Sequence, residues 1–139
     1  MVDLVVINDG EARMLAEDDN LVRAIRALKN LTGVATLVVK RGEHGVLALH
    51  GDELIALPAF PTAEVVDPTG CGDTFAGTLA ACLGGSTGHV GLSELREALM
   101  LATVTSSFTL ESFGTVALRT LDVEVFDQRW RAYRTMLGL

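Results

Sequence analysis

The stretch Asp67-Pro68-Thr69-Gly70-Cys71-Gly72-Asp73-Thr74-Phe75-Ala76-Gly77 decides how this chain is read. A proline turn feeds a loop with two glycines around one small residue, and the loop opens onto a run that carries no charge from Thr74 to Leu83. Such a run reads as a helix buried all round, starting at Asp73. Glycine lets backbone N–H groups turn inward and lets an oxygen-rich ligand approach closely. A helix N-terminus adds a partial positive charge, so Gly70, Cys71 and Gly72 make a candidate anion hole for a phosphoryl group. Asp73 stands at its rim, where a carboxylate can accept the proton of an attacking hydroxyl. The plainer alternative is that Asp73 only caps the helix, among the commonest uses of aspartate ahead of an apolar helix.

Upstream, Leu4-Val5-Val6-Ile7 is a short apolar run expected to be a strand buried on both faces. A short helix is predicted around Glu11–Glu17. A clearer one follows, with Asn20 as cap, Leu21, Ile25 and Leu28 on one face, and Gly33 at its end. Thr36–Val39 reads as a second buried strand. Val46–His50 and Glu53–Leu57 flank Gly51-Asp52, the pattern of a tight hairpin. Pro58, Pro61 and Pro68 punctuate a loop or edge segment.

Downstream, a helix is expected from about Ser93, with Glu94 and Glu97 in its first turn, and another from about Asp122. In the latter, Phe126, Trp130, Tyr133 and Leu137 share one face and are expected to meet the core. Strands early and helices late, with βαβ character at the front, make the chain α/β with a largely parallel sheet. No repeat, low-complexity tract or linker interrupts it, so residues 1–139 read as a single domain.

Composition narrows the partners. With 49% hydrophobic and 21% charged residues, the 139-residue chain is ordinary globular material. Its formal charge of −7 argues against nucleic acid, for want of a basic surplus to neutralise phosphates. The longest uncharged stretch, Thr74–Ser93, is broken by Gly84-Gly85-Ser86-Thr87-Gly88 and so is no membrane helix. That glycine-rich segment matches Gly-x-Ser-x-Gly but lacks the preceding strand of a nucleophile elbow, and it is read as a loop. Cys71 and Cys82 would lie about 16 Å apart along one helix, too far to bridge. Together with the absence of a signal-peptide pattern, this gives the expectation of a reduced, cytoplasmic protein.

The string from Asp67 to Gly77 resembles the C-terminal signature of the ribokinase (PfkB-type) carbohydrate kinases, usually Asp-Thr/Pro-x-Gly-Ala-Gly-Asp ahead of a buried helix. Cys71 takes the place of the usual alanine, at a position that donates through its backbone. Thr78 stands where glycine or alanine is common. Asn8-Asp9-Gly10-Glu11 resembles that family's Asn-x-x-Glu element, which implies that Asn8 and Glu11 organise magnesium and phosphate, through water. The same spacing is a capping arrangement at a helix start, and the two roles are compatible. Lys40-Arg41-Gly42-Glu43-His44-Gly45 resembles the segment beside the nucleotide, implying that Lys40, Gly42 and Gly45 line it. A solvated turn is the equal alternative. Leu101–Gly114 resembles the late helix and loop near the adenine, which places Ala102 and Thr103 there, with Thr103 where asparagine is frequent. The same resemblance implies a monovalent cation, K+, at Asp67 and Thr69.

The resemblance thus implies a ribokinase-like α/β fold truncated to its C-terminal nucleotide-binding half. It implies ATP- and Mg2+-dependent phosphoryl transfer to a hydroxyl of a sugar or nucleoside, with Asp73 as general base. Expected partners are a nucleotide and a small-molecule alcohol, with neither nucleic acid nor membrane. The family's N-terminal half, which carries most acceptor-binding residues, is absent, so a homo-oligomer or pairing with that missing half is expected. A non-catalytic nucleotide-binding or subunit-interaction module made of the same half-fold is the second reading.

Overall fold

The computed structural model describes residues 2–85 and 89–139. Residues 86–88, part of the segment read as a glycine-rich loop, lie outside the described residues. The chain divides into two compact units, Met1–Ala59 and Phe60–Leu139.

In the first unit, strand β1 (Leu4–Asn8) leads into helix α1 (Asp9–Ala16) and helix α2 (Leu21–Thr32), followed by strands β2 (Thr36–Lys40), β3 (Val46–His50) and β4 (Glu53–Leu57). The strands lie in the order β1-β2-β3-β4. β1 and β2 run parallel, with Leu4 opposite Thr36 and Asn8 opposite Lys40. β3 and β4 extend the sheet antiparallel, closing the hairpin with His50 opposite Glu53. The class is α/β as expected, but the parallel part of the sheet is one pair, because the Arg41–Gly45 turn folds β3 back on β2 and Gly51-Asp52 folds β4 back on β3.

Local chemistry sets the boundaries. The Asn20 side chain accepts the Arg23 N–H at 3.1 Å to start α2, and Gly33 ends it at φ 68°. Asp18 ties the α1–α2 link by accepting from Arg23 Nε at 2.8 Å and from the Asn20 N–H at 2.8 Å. Ala12, Leu21, Ile25 and Leu28 of the two helices then pack on Leu37, Val39, Leu47 and Leu49 of the sheet. Each fully buried Leu or Ile there is worth about 1.5–3 kcal/mol of transfer free energy. β1 differs from expectation. It is an edge of the described sheet, so Leu4, Val5, Val6 and Ile7 are half-buried and Asn8 is exposed, with no strand on the far side.

The second unit is helical: α3 (Cys71–Leu83), α4 (Leu92–Thr109), α5 (Val116–Arg119) and α6 (Val123–Met136). α4 is its core element, burying Leu95, Ala98, Leu99, Met100, Ala102 and Val104 among others. α3 packs against it through Phe75 and Leu79, one turn apart, and these are its only fully buried residues. The expectation of burial all round fails because the residues facing out, including Gly77, Ala80 and Ala81, are too small to need cover. On α6, Tyr133 is buried, whereas Phe126, Trp130 and Leu137 are half-buried. Phe126 stacks on Phe108 and Tyr133 lies beside Phe60, each at 6.2 Å between ring centres. Among the described residues, no helix is long and apolar enough to cross a membrane.

Candidate functional site

The loop at the start of α3 is organised by its own backbone. Asp67 Oδ1 accepts the Thr69 N–H at 2.9 Å, and the Pro68 carbonyl accepts the Cys71 N–H at 3.2 Å. Gly70 then serves as the N-cap at φ 85°, a conformation that glycine adopts without strain. A Cβ at Gly70 would meet only the Thr109 methyl at 3.8 Å, so the backbone angle and not the space demands glycine. The Gly70 carbonyl accepts the Thr74 N–H at 2.9 Å, closing the first turn.

Asp73 is therefore the third residue of the helix and not its cap. Its side chain is exposed and makes no hydrogen bond among the described residues. The first N–H groups of a helix have no intrahelical acceptor. Here the Cys71 N–H is taken by Pro68, while those of Gly72 and Asp73 find no protein acceptor among the described residues. Burial, and then the Asp67 carboxylate, push the Cys71 thiol above its ordinary pKa, so it is not a thiolate at neutral pH. The Thr69 N–H and hydroxyl hold the Asp67 carboxyl below the usual carboxylate range.

Two residues outside that stretch hold this loop, and the sequence carries no local signal for them. The Leu110 carbonyl accepts both the Val66 N–H at 2.7 Å and the Asp67 N–H at 3.2 Å. The Thr109 hydroxyl donates to Thr74 Oγ1 at 3.0 Å. Thr74, Thr109 and Leu110 are ordinary residues by type, and only the packing of α3 on α4 brings them together.

In the first unit, Asn8 and Lys40 end the two parallel strands as register partners. The carboxyl ends of parallel strands are where α/β sheets gather ligands. Asn8 Oδ1 accepts the Glu11 N–H at 2.7 Å, and Glu11 Oε2 accepts the Asn8 N–H at 2.8 Å. This is a capping box, so the structural role foreseen for this pair is real. Gly42, at φ 56°, has open space where a side chain would go. Gly45 does not: a Cβ there would lie 2.1 Å from the Leu57 carbonyl oxygen. Its glycine is demanded by the backbone of β4.

Ala102 and Thr103 are buried within α4. The Thr103 hydroxyl donates to the Leu99 carbonyl at 2.8 Å and also bonds Tyr133. The structure thus joins Asp67 and Thr69 of the loop, through the Gly70 cap, to Cys71, Gly72 and Asp73 in the first turn of α3, and it gathers Asn8, Glu11 and Lys40 at one end of the parallel strand pair. Ala102 and Thr103 lie inside helix packing, one to two turns before the α4 end that touches the loop. Among the described residues, no three His, Cys, Asp or Glu side chains cluster to hold a metal ion.

The family model described as pfkB family carbohydrate kinase matches residues 1–121. The chain belongs to that family. This pfkB-family chain is 36% identical over 126 residues to the bifunctional protein HldE of Pseudomonas aeruginosa, covering 89% of itself and 25% of that protein. It is 40% identical over 107 residues to cytidine kinase of Thermococcus kodakarensis, covering 70% of itself and 37% of the relative. Its fold matches aminoimidazole riboside kinase from Salmonella enterica, solved with aminoimidazole riboside and an ATP analogue. That match has a TM-score of 0.77 at 23% identity and covers 92% of this chain and 42% of the other. The chain therefore spans well under half the length of these relatives, and its ribokinase-like α/β fold corresponds to a part of theirs.

Proposed function

We propose that this pfkB-family chain is the nucleotide half of an ATP-dependent phosphotransferase acting on a hydroxyl of a sugar or nucleoside. One observation carries the reading. Asp73 presents an exposed carboxylate with no hydrogen-bond partner among the described residues, in the first turn of α3, which carries the open N–H groups of Gly72 and Asp73 behind a glycine cap. Helix N-terminal N–H groups stabilise phosphoryl charge, and the carboxylate is the group to accept the acceptor hydroxyl's proton. Gly70 and Gly72 frame the hole, whose open donors are the N–H groups of Gly72 and Asp73; Cys71, expected to donate as well, is taken up by the Pro68 carbonyl. The Asp73 carboxylate is the general base. The family's description as carbohydrate kinases supports the sugar class, and the name of the cytidine kinase the nucleoside class.

Mg2+ keeps several waters and takes one or two carboxylates along with substrate phosphates. Exposed Glu11, with Asn8 fixed beside it, fits that pattern better than an all-protein cage would. Bound there, the ion would neutralise phosphoryl charge. Asp67, held ionised, and Thr69 suit a hard monovalent cation such as K+. Lys40, Gly42 and the turn ending at Gly45 border the nucleotide. Ala102 and Thr103 have no part in this reading, because helix packing encloses them.

A non-catalytic nucleotide-binding or subunit-interaction module of the same half-fold is the second reading, favoured by the half-buried β1 at an edge of the described sheet. The kinase reading pairs this half with acceptor-binding residues from another segment or subunit, whereas the module needs only nucleotide binding or association. The test is a calorimetric titration of the 139-residue chain with MgATP, beside Asp73→Asn and Asn8→Ala. Saturable binding kept by Asp73→Asn and weakened by Asn8→Ala supports the kinase half. A folded chain that binds no MgATP refutes it, and binding with no acceptor-dependent ADP release in the complete protein leaves the module.

A further inference from the structure

Three consecutive residues at the end of α4 grip three points of the segment that carries the candidate phosphate loop. Thr109 holds Thr74 in the first turn of α3. Leu110 holds Val66 and Asp67 just before the loop. Glu111 accepts from the Thr62 hydroxyl at 3.3 Å, further upstream. Residues 60–70 contain no helix or strand, so these bonds, not a ladder of their own, set their course.

Glu111 is in turn fixed from α6. Arg129 Nη2 donates to Glu111 Oε1 at 2.7 Å, and Arg129 Nη1 donates to Ser107 Oγ at 3.1 Å. The guanidinium carbon lies 3.6 Å from the centre of the Phe108 ring and 5.1 Å from that of Phe60. The Arg129 side chain is only 16% exposed and that of Glu111 only 27%. A planar guanidinium held by two polar bonds and two rings has a single orientation. A half-buried carboxylate stripped of its counter-charge is unstable where it sits, so losing Arg129 releases Glu111 from Thr62 and unties the turn that follows Leu110.

We infer that Arg129 is a positioning residue for the Gly70–Asp73 loop: through Glu111 it fixes the end of α4, from which the Val66–Asp67 strap and the first turn of α3 are hung. That this loop binds phosphate rests on the reading above. The coupling of Arg129 to the loop does not.

The experiment uses the full chain carrying Cys82→Ser, which leaves Cys71 as the only thiol. Amide hydrogen exchange, the alkylation rate of Cys71 and MgATP affinity are compared for the parent, Arg129→Leu, Arg129→Lys and Glu111→Gln. In Arg129→Leu, exchange at Val66 and Asp67 and alkylation of Cys71 should rise about tenfold or more, while Leu99 and Val104 inside α4 keep their protection. Arg129→Lys restores the ion pair and should recover part of the effect. Unchanged exchange at Val66 and Asp67 overturns the inference, as does uniform acceleration across the second unit, since either leaves Arg129 a packing residue at most. If Arg129→Leu does not fold, Glu111→Gln decides by the same criteria. Loop loosening in a chain whose parent binds no MgATP would uphold the positioning role and sink the kinase reading alone.

Discussion

Gly45→Ala is the substitution whose consequence the coordinates state most directly. The residue sits at φ 88° and ψ −140°, a combination essentially reserved for glycine. Holding alanine there costs about 1–3 kcal/mol in backbone strain. The new methyl would lie 2.1 Å from the Leu57 carbonyl oxygen, 2.6 Å from the Pro58 carbonyl carbon and 2.7 Å from the Ala59 nitrogen. All three are backbone atoms, so no side chain can swing aside, and overpacking of this kind adds about 1–3 kcal/mol. The total of about 2–6 kcal/mol is a large share of the 5–15 kcal/mol available to a typical domain. Relief comes only by pulling the end of β4 off β3, where Val46 pairs with Leu57. Gly42→Ala is the control. It sits at φ 56° with nothing within 4 Å of its added methyl, so it carries only the left-handed penalty of about 1–2 kcal/mol. Urea unfolding followed by far-UV circular dichroism ranks the two, and amide exchange of residues 46–57 locates the damage. If Gly45→Ala unfolds at the same urea concentration as Gly42→Ala, the close approach is not rigid and the reasoning fails. The outcome also bears on function, because lost nucleotide binding in Gly45→Ala would report a broken hairpin and not a removed contact.

The remaining predictions concern one residue in each unit. The lowered pKa of Asp67 means that the unfolded chain binds the extra proton first as pH falls. This contribution is full above the ordinary carboxylate value of about 3.9 and is lost as pH falls through the lower folded value. Between about pH 5 and 2, the parent should therefore lose stability more steeply than Asp67→Asn, and equal slopes would show that the Thr69 bonds do not hold the charge. At Asn8, the cap and the nucleotide role are separable. Asn8→Ser keeps an Oγ acceptor for the Glu11 N–H, whereas Asn8→Ala loses the cap and about 1 kcal/mol. If both variants weaken MgATP binding alike while only Asn8→Ala loses stability, Asn8 acts on the nucleotide directly. Binding preserved in Asn8→Ser would make it a cap alone.

What could be read from the chain, and what could not, follows from how far each signal reaches. Asn20 and Gly33 bound α2 because caps act within one turn, and Gly51-Asp52 fixes the hairpin because a two-residue turn sets its own register. Asp67 to Asp73 announces a turn into a helix because proline and glycine act locally, but not the cap: the sequence starts the helix at Asp73, and the structure starts it at Cys71 behind Gly70. β1 read as a strand buried on both faces because an apolar run does not state how many neighbours it has. α3 read as fully buried because alanine and glycine are apolar by type yet indifferent to exposure. Leu110, Thr109, Glu111 and Arg129 were invisible, since what matters about them is which distant backbone they meet. At Gly45 the sequence offers a nucleotide-lining glycine or a solvated turn, and neither explains the residue. Its glycine answers to the Leu57–Ala59 backbone, a tertiary fact that no spacing announces.

The border between the two units at Ala59 and Phe60 has a spectroscopic counterpart. Every phenylalanine, the one tyrosine and the one tryptophan fall at or after Phe60, and none falls in residues 1–59. Near-ultraviolet and intrinsic-fluorescence signals therefore originate in the second unit alone. An unfolding curve followed through Trp130 is a curve for that unit, and one followed through the amide chromophore covers both. Coincident midpoints would show that the aliphatic and aromatic cores melt as one cooperative body, and separated midpoints would show two. A nucleotide titration read by fluorescence has the same built-in address. A change in Trp130 emission reports on the helices, and the sheet carrying Asn8 and Lys40 stays dark unless a tryptophan is placed there on purpose.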